Sequence, residues 1–168
     1  MIYFTSDTHF GHKNIIKYCN RPFSSVEEMD NALVENWNKV VRSNDTIYHL
    51  GDVTFSKNHS ILDKLNGYKT FLMGNHDHER SWPTIDYKEI KYNGYRFILC
   101  HFPLLTWNNA RHGSIHCHGH CHGTINHLNQ NLLRFDVGVD VYNYTPVSIE
   151  QIIEESKTKN VLDVRKYD

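Results

Sequence analysis

Thr46-Ile47-Tyr48-His49-Leu50-Gly51-Asp52 is a β-rich run that stops on a glycine and a carboxylate. β-Branched and aromatic residues suit a strand, and Gly51 lets the backbone turn sharply because it carries no side chain. The same pattern recurs along the chain. Ile2-Tyr3-Phe4 opens as a strand and ends at Ser6-Asp7, and Lys69 to Met73 is a strand ended by Gly74-Asn75. Tyr95 to Cys100 is a strand ending at His101, and Ser114 to Cys117 leads into Gly119-His120. Asp7, Asp52, Asn75, His101 and His120 therefore each sit just beyond a predicted strand. In open α/β sheets ligands bind at the carboxyl ends of the strands, so five metal-type side chains at that edge mark a site.

Between the strands the period changes. Ser24 to Arg42 reads as the longest helix, with Ser24 and Glu27 as a capping box and Val26, Met29, Leu33, Trp37, Val40 and Val41 on one face. Ile61 to Leu65 is a short helix closed by Asn66-Gly67, and Leu132 to Val141 reads as a late strand. Ser148 and Gln151 form a second capping box that starts the helix Ile149 to Ser156. Interleaved strands and helices give an α/β layered fold, with room for some antiparallel pairs. No repeat, low-complexity tract or linker interrupts the 168 residues, which read as one domain, 1–168.

The formal charge of −1, with no block of like charges, lends no support to tight nucleic-acid binding. The N-terminus reaches Asp7 too soon for a secretory segment, and no apolar run is long enough to span a bilayer, so the expected home is the cytoplasm. Cys19, Cys100, Cys117 and Cys121 are too few and too irregular for a disulfide framework and are expected as reduced thiols. The unusual feature is thirteen histidines.

Their placement matters more than their number. Asp7-Thr8-His9 sets a carboxylate and an imidazole two residues apart, and Gly119-His120-Cys121-His122 repeats that spacing with two imidazoles. In an extended segment such residues point to one side and can hold one ion. Asp52 is the candidate bridging ligand, since a carboxylate has two oxygens. Gly74-Asn75-His76-Asp77 adds an amide oxygen and another imidazole. Mixed oxygen and imidazole ligation suits borderline divalent ions, manganese first, with iron, nickel, zinc or magnesium as other fits. Seven ligands (Asp7, His9, Asp52, Asn75, His101, His120 and His122) exceed what one tetrahedral ion needs, so two ions is the natural count.

The ordered set Asp7-x-His9, Gly51-Asp52, Gly74-Asn75-His76-Asp77, His101 and Gly119-His120-x-His122 resembles the calcineurin-like metallophosphoesterase family. Each block alone is weak; all five in order are specific. The stretches 5–12, 19–23 and 137–147 look like a short bacterial and phage branch. The resemblance implies a four-layer αββα sandwich of two packed sheets flanked by helices. It also implies that Asp7, His9, Asp52 and His122 hold one ion, and Asp52, Asn75, His101 and His120 the other. His76 would face the substrate as a proton donor, with Asp77 orienting it. The implied reaction is hydrolysis of a phosphomonoester or phosphodiester by a hydroxide bridging the two metals.

Other readings compete. The segment 116–122, rich in histidine with Cys117 and Cys121, invites a structural zinc, but no separate second ligand pair exists for it. Cys117 and Cys121 are expected to point into the packing, and His12 and His78 to line the cleft. Arg21 and Arg111 are candidate phosphate clamps against the plainer role of surface salt bridging. Trp82 and Trp107 are expected to pack rather than to stack on a base, and Asp140 to be structural. About two dozen residues separate Asp77 from His101, which leaves no room for a long cap and implies an open site. The expected partner is a small phosphate ester, nucleotide-like. The alternatives are a nuclease on RNA or single-stranded DNA, and a metal-dependent binding module without turnover.

Overall fold

The computed structural model describes residues 1–77 and 82–161. The strands are β1 (Ile2–Thr5), β2 (Thr46–His49), β3 (Tyr68–Leu72), β4 (Thr84–Ile85), β5 (Tyr87–Tyr92), β6 (Tyr95–Cys100), β7 (Ile115–His118), β8 (Arg134–Asp136) and β9 (Val147–Ser148). The α-helices are α1 (Lys13–Tyr18), α2 (Val26–Val40), α3 (Asn126–Asn129) and α4 (Ile149–Ser156). The segment expected as a helix near Ile61 is a 3₁₀ turn, Ser60–Lys64, and a second such turn spans Ala110–His112.

Two mixed sheets form. One has the order β4-β3-β2-β1-β9, with β1 to β4 parallel and β9 antiparallel to β1. The other has the order β5-β6-β7-β8, with only the β5–β6 pair antiparallel. That hairpin turns through Asn93 (φ 47°) and Gly94 (φ 82°), the left-handed pair a two-residue turn requires.

Alternation along each strand builds the sandwich. Phe4, Leu50 and Leu72 from one sheet meet Phe97, Leu99, Ile115, Cys117 and Phe135 from the other in one buried cluster, with the Phe4 and Phe97 rings 5.7 Å apart. The opposite face of the first sheet, including Ile47 and Phe71, packs on Met29, Leu33 and Trp37 of α2. Each such side chain contributes roughly 1.5–3 kcal/mol by leaving water. The outer layer on the second sheet is thinner. There His116 and His118 turn away from the apolar core yet are fully buried, His116 against the Trp107 ring and His118 against Asn129.

Two boundaries differ from expectation. The α2 cap is Ser25, one residue later than the sequence pattern implied: its extended backbone lets its hydroxyl accept from Glu28 N–H, while the Glu28 carboxylate reaches back to Ser24 N–H. The late strand is shorter than 132–141. β8 ends at Asp136, Val137 donates to the His118 carbonyl, and Val139 donates to the Ser6 carbonyl. The chain thus leaves the second sheet and joins the end of β1 through a Ser6–Gly138 bridge. This crossing brings the carboxyl ends of both sheets to one edge. Among the described residues no helix is long and apolar enough to cross a membrane.

Candidate metal centre

All seven expected ligands lie on loops at that edge, immediately after β1, β2, β3, β6 and β7. Five of them occupy the left-handed region of backbone space: Asp7 (φ 58°), His9 (φ 50°), Asp52 (φ 57°), His120 (φ 72°) and His122 (φ 48°). Such a backbone costs a non-glycine residue roughly 1–2 kcal/mol and persists only where the surroundings enforce it. Here neighbouring loops enforce it. Asp7 N–H donates to the Gly51 carbonyl and His9 N–H to the Asp52 carbonyl, so the first two ligand loops are stitched side by side. Glycines let the loops touch: a Cβ on Gly119 would lie 2.0 Å from Ser6 Oγ and 2.5 Å from Asp7 Oδ2.

Asp52 is central. Its Oδ2 lies 3.7 Å from His9 Nε2 and 3.6 Å from His101 Nε2, and its Oδ1 accepts from His76 N–H. Asn75 Oδ1 sits 2.9 Å from His101 Nε2 and 2.9 Å from His120 Nδ1. Single ligand atoms of Asp7, His9 and His122 come within 4.8 Å of one another, as do those of Asp7, Asp52 and His101.

Several observations test whether these residues suit cations. Both ring nitrogens of His9 are buried without a hydrogen-bond partner. Buried polar atoms are normally satisfied, so this orphaned imidazole calls for an electrophile. Burial pushes the Asp7 carboxyl up to about 8 against the opposing pull of His122, as expected of an enclosed acid. Burial likewise holds His101 below its ordinary pKa, and its Nδ1 pairs with the Leu50 carbonyl at 2.7 Å. The neutral ring therefore turns its Nε2 lone pair towards Asn75 Oδ1, another acceptor, and a cation between them reconciles the two. The residues fit divalent cations.

His122 is held from behind. Its Nδ1 pairs with Asp140 Oδ2 at 2.7 Å, so Nε2 is left for a metal. Burial opposes charge on this ring, but Asp140, Cys19 and the Asp7 charge outweigh it and push the imidazole up to about 10. A bound ion must displace that proton. Cys19, His122 and Asp140 form a further close group, but both Asp140 oxygens are already engaged by the Arg21 guanidinium at 2.8 Å. Arg21 is thus neither a surface salt bridge nor a phosphate clamp: its side chain is fully buried beneath the ligand loops. Asp140 is structural, as expected, and what it structures is a ligand.

Asp77 also has another role than the sequence implied. Its carboxylate accepts from Asp52, Val53 and Gly74 N–H at 2.7, 2.9 and 2.9 Å, which binds the Asp52 loop to the Asn75 loop. It thereby orients these backbone groups. His76 is exposed, its ring 5.7 Å from His9 and 5.1 Å from Phe55. His12 does line the site, stacked on Phe55 at 3.9 Å; His78 lies outside the described residues. On the other side Phe102 contacts the His101 and His120 rings at 5.0 and 4.8 Å. Phe55 is 41% exposed and Phe102 is 45% exposed, and neither drew notice in the sequence. Arg111 is exposed on the Ala110–His112 turn. Trp107 is buried with its indole N–H on the Ser114 carbonyl, and Trp82 packs against Phe71. Cys117 is buried in the apolar cluster, which removes it from any zinc site.

Comparison with known proteins agrees with this geometry. The family model for calcineurin-like phosphoesterases matches residues 1–163. An uncharacterised protein of Methanocaldococcus jannaschii is 46% identical, covering 91% of this chain and 89% of its own. The Gene 66 protein of Mycobacterium phage D29 is 26% identical, covering 84% of this chain and 89% of its own. Among solved structures, a protein of unknown function from Aquifex aeolicus superposes with a TM-score of 0.75 at 28% identity, covering 92% of this chain and 98% of that one. With its ligand loops intact and its fold matched along nearly its whole length, the chain belongs to the calcineurin-like phosphoesterase family and is a metal-dependent phosphoesterase.

Proposed function

We propose that the protein hydrolyses a small, nucleotide-like phosphate ester at a dinuclear centre. The observation that carries this reading is the pair of half-sites sharing Asp52: Asp7, His9 and His122 on one side, and Asn75, His101 and His120 on the other. When bound, two divalent ions supply Lewis acidity to the phosphoryl oxygens and lower the pKa of water. Manganese suits the mixed carboxylate, amide and imidazole donors.

The protein's own groups do the rest. Asn75 and His120 sit at the solvent edge of the second half-site, where a phosphoryl group enters. In this reading His76, exposed and tethered through its backbone N–H to Asp52, gives a proton to the leaving oxygen. The exposed rings of Phe55 and Phe102 stand on opposite half-sites and offer flat apolar faces to an aromatic or nucleobase portion of the ester.

A parallel hydrolysis assay tests the proposal. Metal-stripped protein is reloaded with manganese, nickel, zinc or magnesium and offered p-nitrophenyl phosphate, its bis-ester, and 2′,3′- and 3′,5′-cyclic nucleotides. Metal-dependent turnover that disappears in Asn75→Ala and falls sharply in His76→Ala supports the reading. Two bound ions without turnover on any of these esters would overturn it.

A further inference from the structure

We propose that Arg21 is the positioning residue for one half of the centre: it fixes Asp7, His9 and His122 as a unit, and its loss weakens the ion they hold while sparing the other. This rests on the two-ion reading above. The guanidinium is completely enclosed, and each of its five N–H donors has a partner. Nε donates to Asp140 Oδ1 at 2.8 Å, and Nη2 donates to Asp140 Oδ2 at 2.8 Å and to the Asp7 carbonyl at 2.7 Å. Nη1 donates to the Thr8 carbonyl at 3.1 Å and to Met29 Sδ at 3.4 Å.

Two chains of force leave this one group. Through Asp140 it reaches His122 Nδ1 at 2.7 Å, which fixes the ring and its tautomer. Through the Asp7 and Thr8 carbonyls it grips the backbone of the Asp7-Thr8-His9 loop, whose two ligand residues stand in the left-handed region. A guanidinium is planar and forked, so it can satisfy both sets of acceptors at once; an ammonium with three donors cannot. The other half has supports of its own: His101 rests on the Leu50 carbonyl, and Asn75 Oδ1 pairs with His120 Nδ1, while the His120 backbone N–H also reaches the Asp7 carboxylate at 3.0 Å. Groups that orient metal-binding histidines and loops typically change metal affinity about 10–100-fold when removed.

The test compares wild type with Arg21→Lys and Asp140→Asn. Each protein is titrated with manganese, and the bound ions are counted by elemental analysis and read by electron paramagnetic resonance. Wild type is expected to hold two ions as a spin-coupled pair. Each variant should keep one ion at unchanged affinity and bind the second about 10–100-fold more weakly, giving an isolated manganese spectrum that reverts to the coupled form at saturating metal. Two ions at wild-type affinity in both variants, or equal loss of both ions in a folded variant, would overturn the proposal. If Arg21→Lys does not fold by circular dichroism, Asp140→Asn decides alone. A wild type that never holds two ions overturns the dinuclear reading itself, which separates that failure from this one.

Discussion

A Cβ placed on Gly74 would lie 2.1 Å from Oδ1 of Asp52 and 2.3 Å from its backbone nitrogen. The Asn75 loop therefore reaches the central carboxylate only because residue 74 has no side chain. Gly74→Ala must push Asp52 away from both half-sites. Misplacement of a reacting group by about 1 Å can cost on the order of 100-fold in rate. We expect at least that loss in turnover, with metal content by elemental analysis falling in parallel; an active, fully loaded Gly74→Ala would contradict the close approach.

Asp77→Asn should act on stability before chemistry. The carboxylate accepts three backbone N–H groups, and an amide replaces one acceptor oxygen with a donor that faces them. Loss of such charge-assisted bonds at a buried site costs about 2 kcal/mol. The denaturant midpoint should fall accordingly, and the metal-loaded variant should recover part of the loss.

Acid should unfold the protein through histidines that hold no metal. Burial pushes His49 and His116 down to about 4 and His118 down to about 3, against an ordinary value of 6.5. Their folded pKa values lie below the unfolded one, so their contribution to stability is complete above about pH 6.5. It is lost as pH falls towards 4. Each histidine adds a slope of about 1.4 kcal/mol per pH unit within that window. Urea unfolding of metal-free protein at pH 7, 6 and 5 should show this decline, and His116→Gln should flatten it.

Chelation should abolish activity and leave the fold. Both apolar clusters form without any ligand residue, so far-UV circular dichroism should survive metal removal. The melting temperature should still drop, because ions that bind only the folded state stabilise it by mass action. Global unfolding on chelation would favour a structural zinc instead.

Phe55→Ala and Phe102→Ala separate recognition from chemistry. Stacking on an aromatic ring contributes about 1–3 kcal/mol per base, so KM for a cyclic nucleotide should rise roughly 10-fold or more. KM for a small alkyl phosphate should barely move. Equal effects on both substrates would mean that the rings only support the ligand histidines.

Much of the centre was legible because its grammar is local. A short β-rich run ending in Gly51-Asp52 or Gly74-Asn75 places a ligand at a strand end whatever the sheet order. The α2 face was legible for the same reason, although Ser25 rather than Ser24 caps it, since two adjacent serines offer the same chemistry. The Asn93-Gly94 turn was a hairpin signal of equal quality, yet β5 went unread because its charged, exposed residues mask the alternation. Other features are long-range by nature. Arg21 and Asp140 are 119 residues apart, and the crossing at Ser6 and Gly138 helps bring them together. Asp77 stands beside His76 in sequence, but the Asp52 and Val53 N–H groups it accepts from lie across a loop contact that sequence order does not reveal.

The left-handed backbone at Asp7, His9, Asp52, His120 and His122 also filters the mutations this family member can survive. Asparagine, aspartate, histidine and glycine tolerate that conformation, whereas valine, isoleucine and threonine do not. Substitution at these positions is therefore channelled towards residues that tolerate the left-handed backbone, most of which can also coordinate a metal. Backbone conformation, as well as coordination, limits which residues these five positions accept.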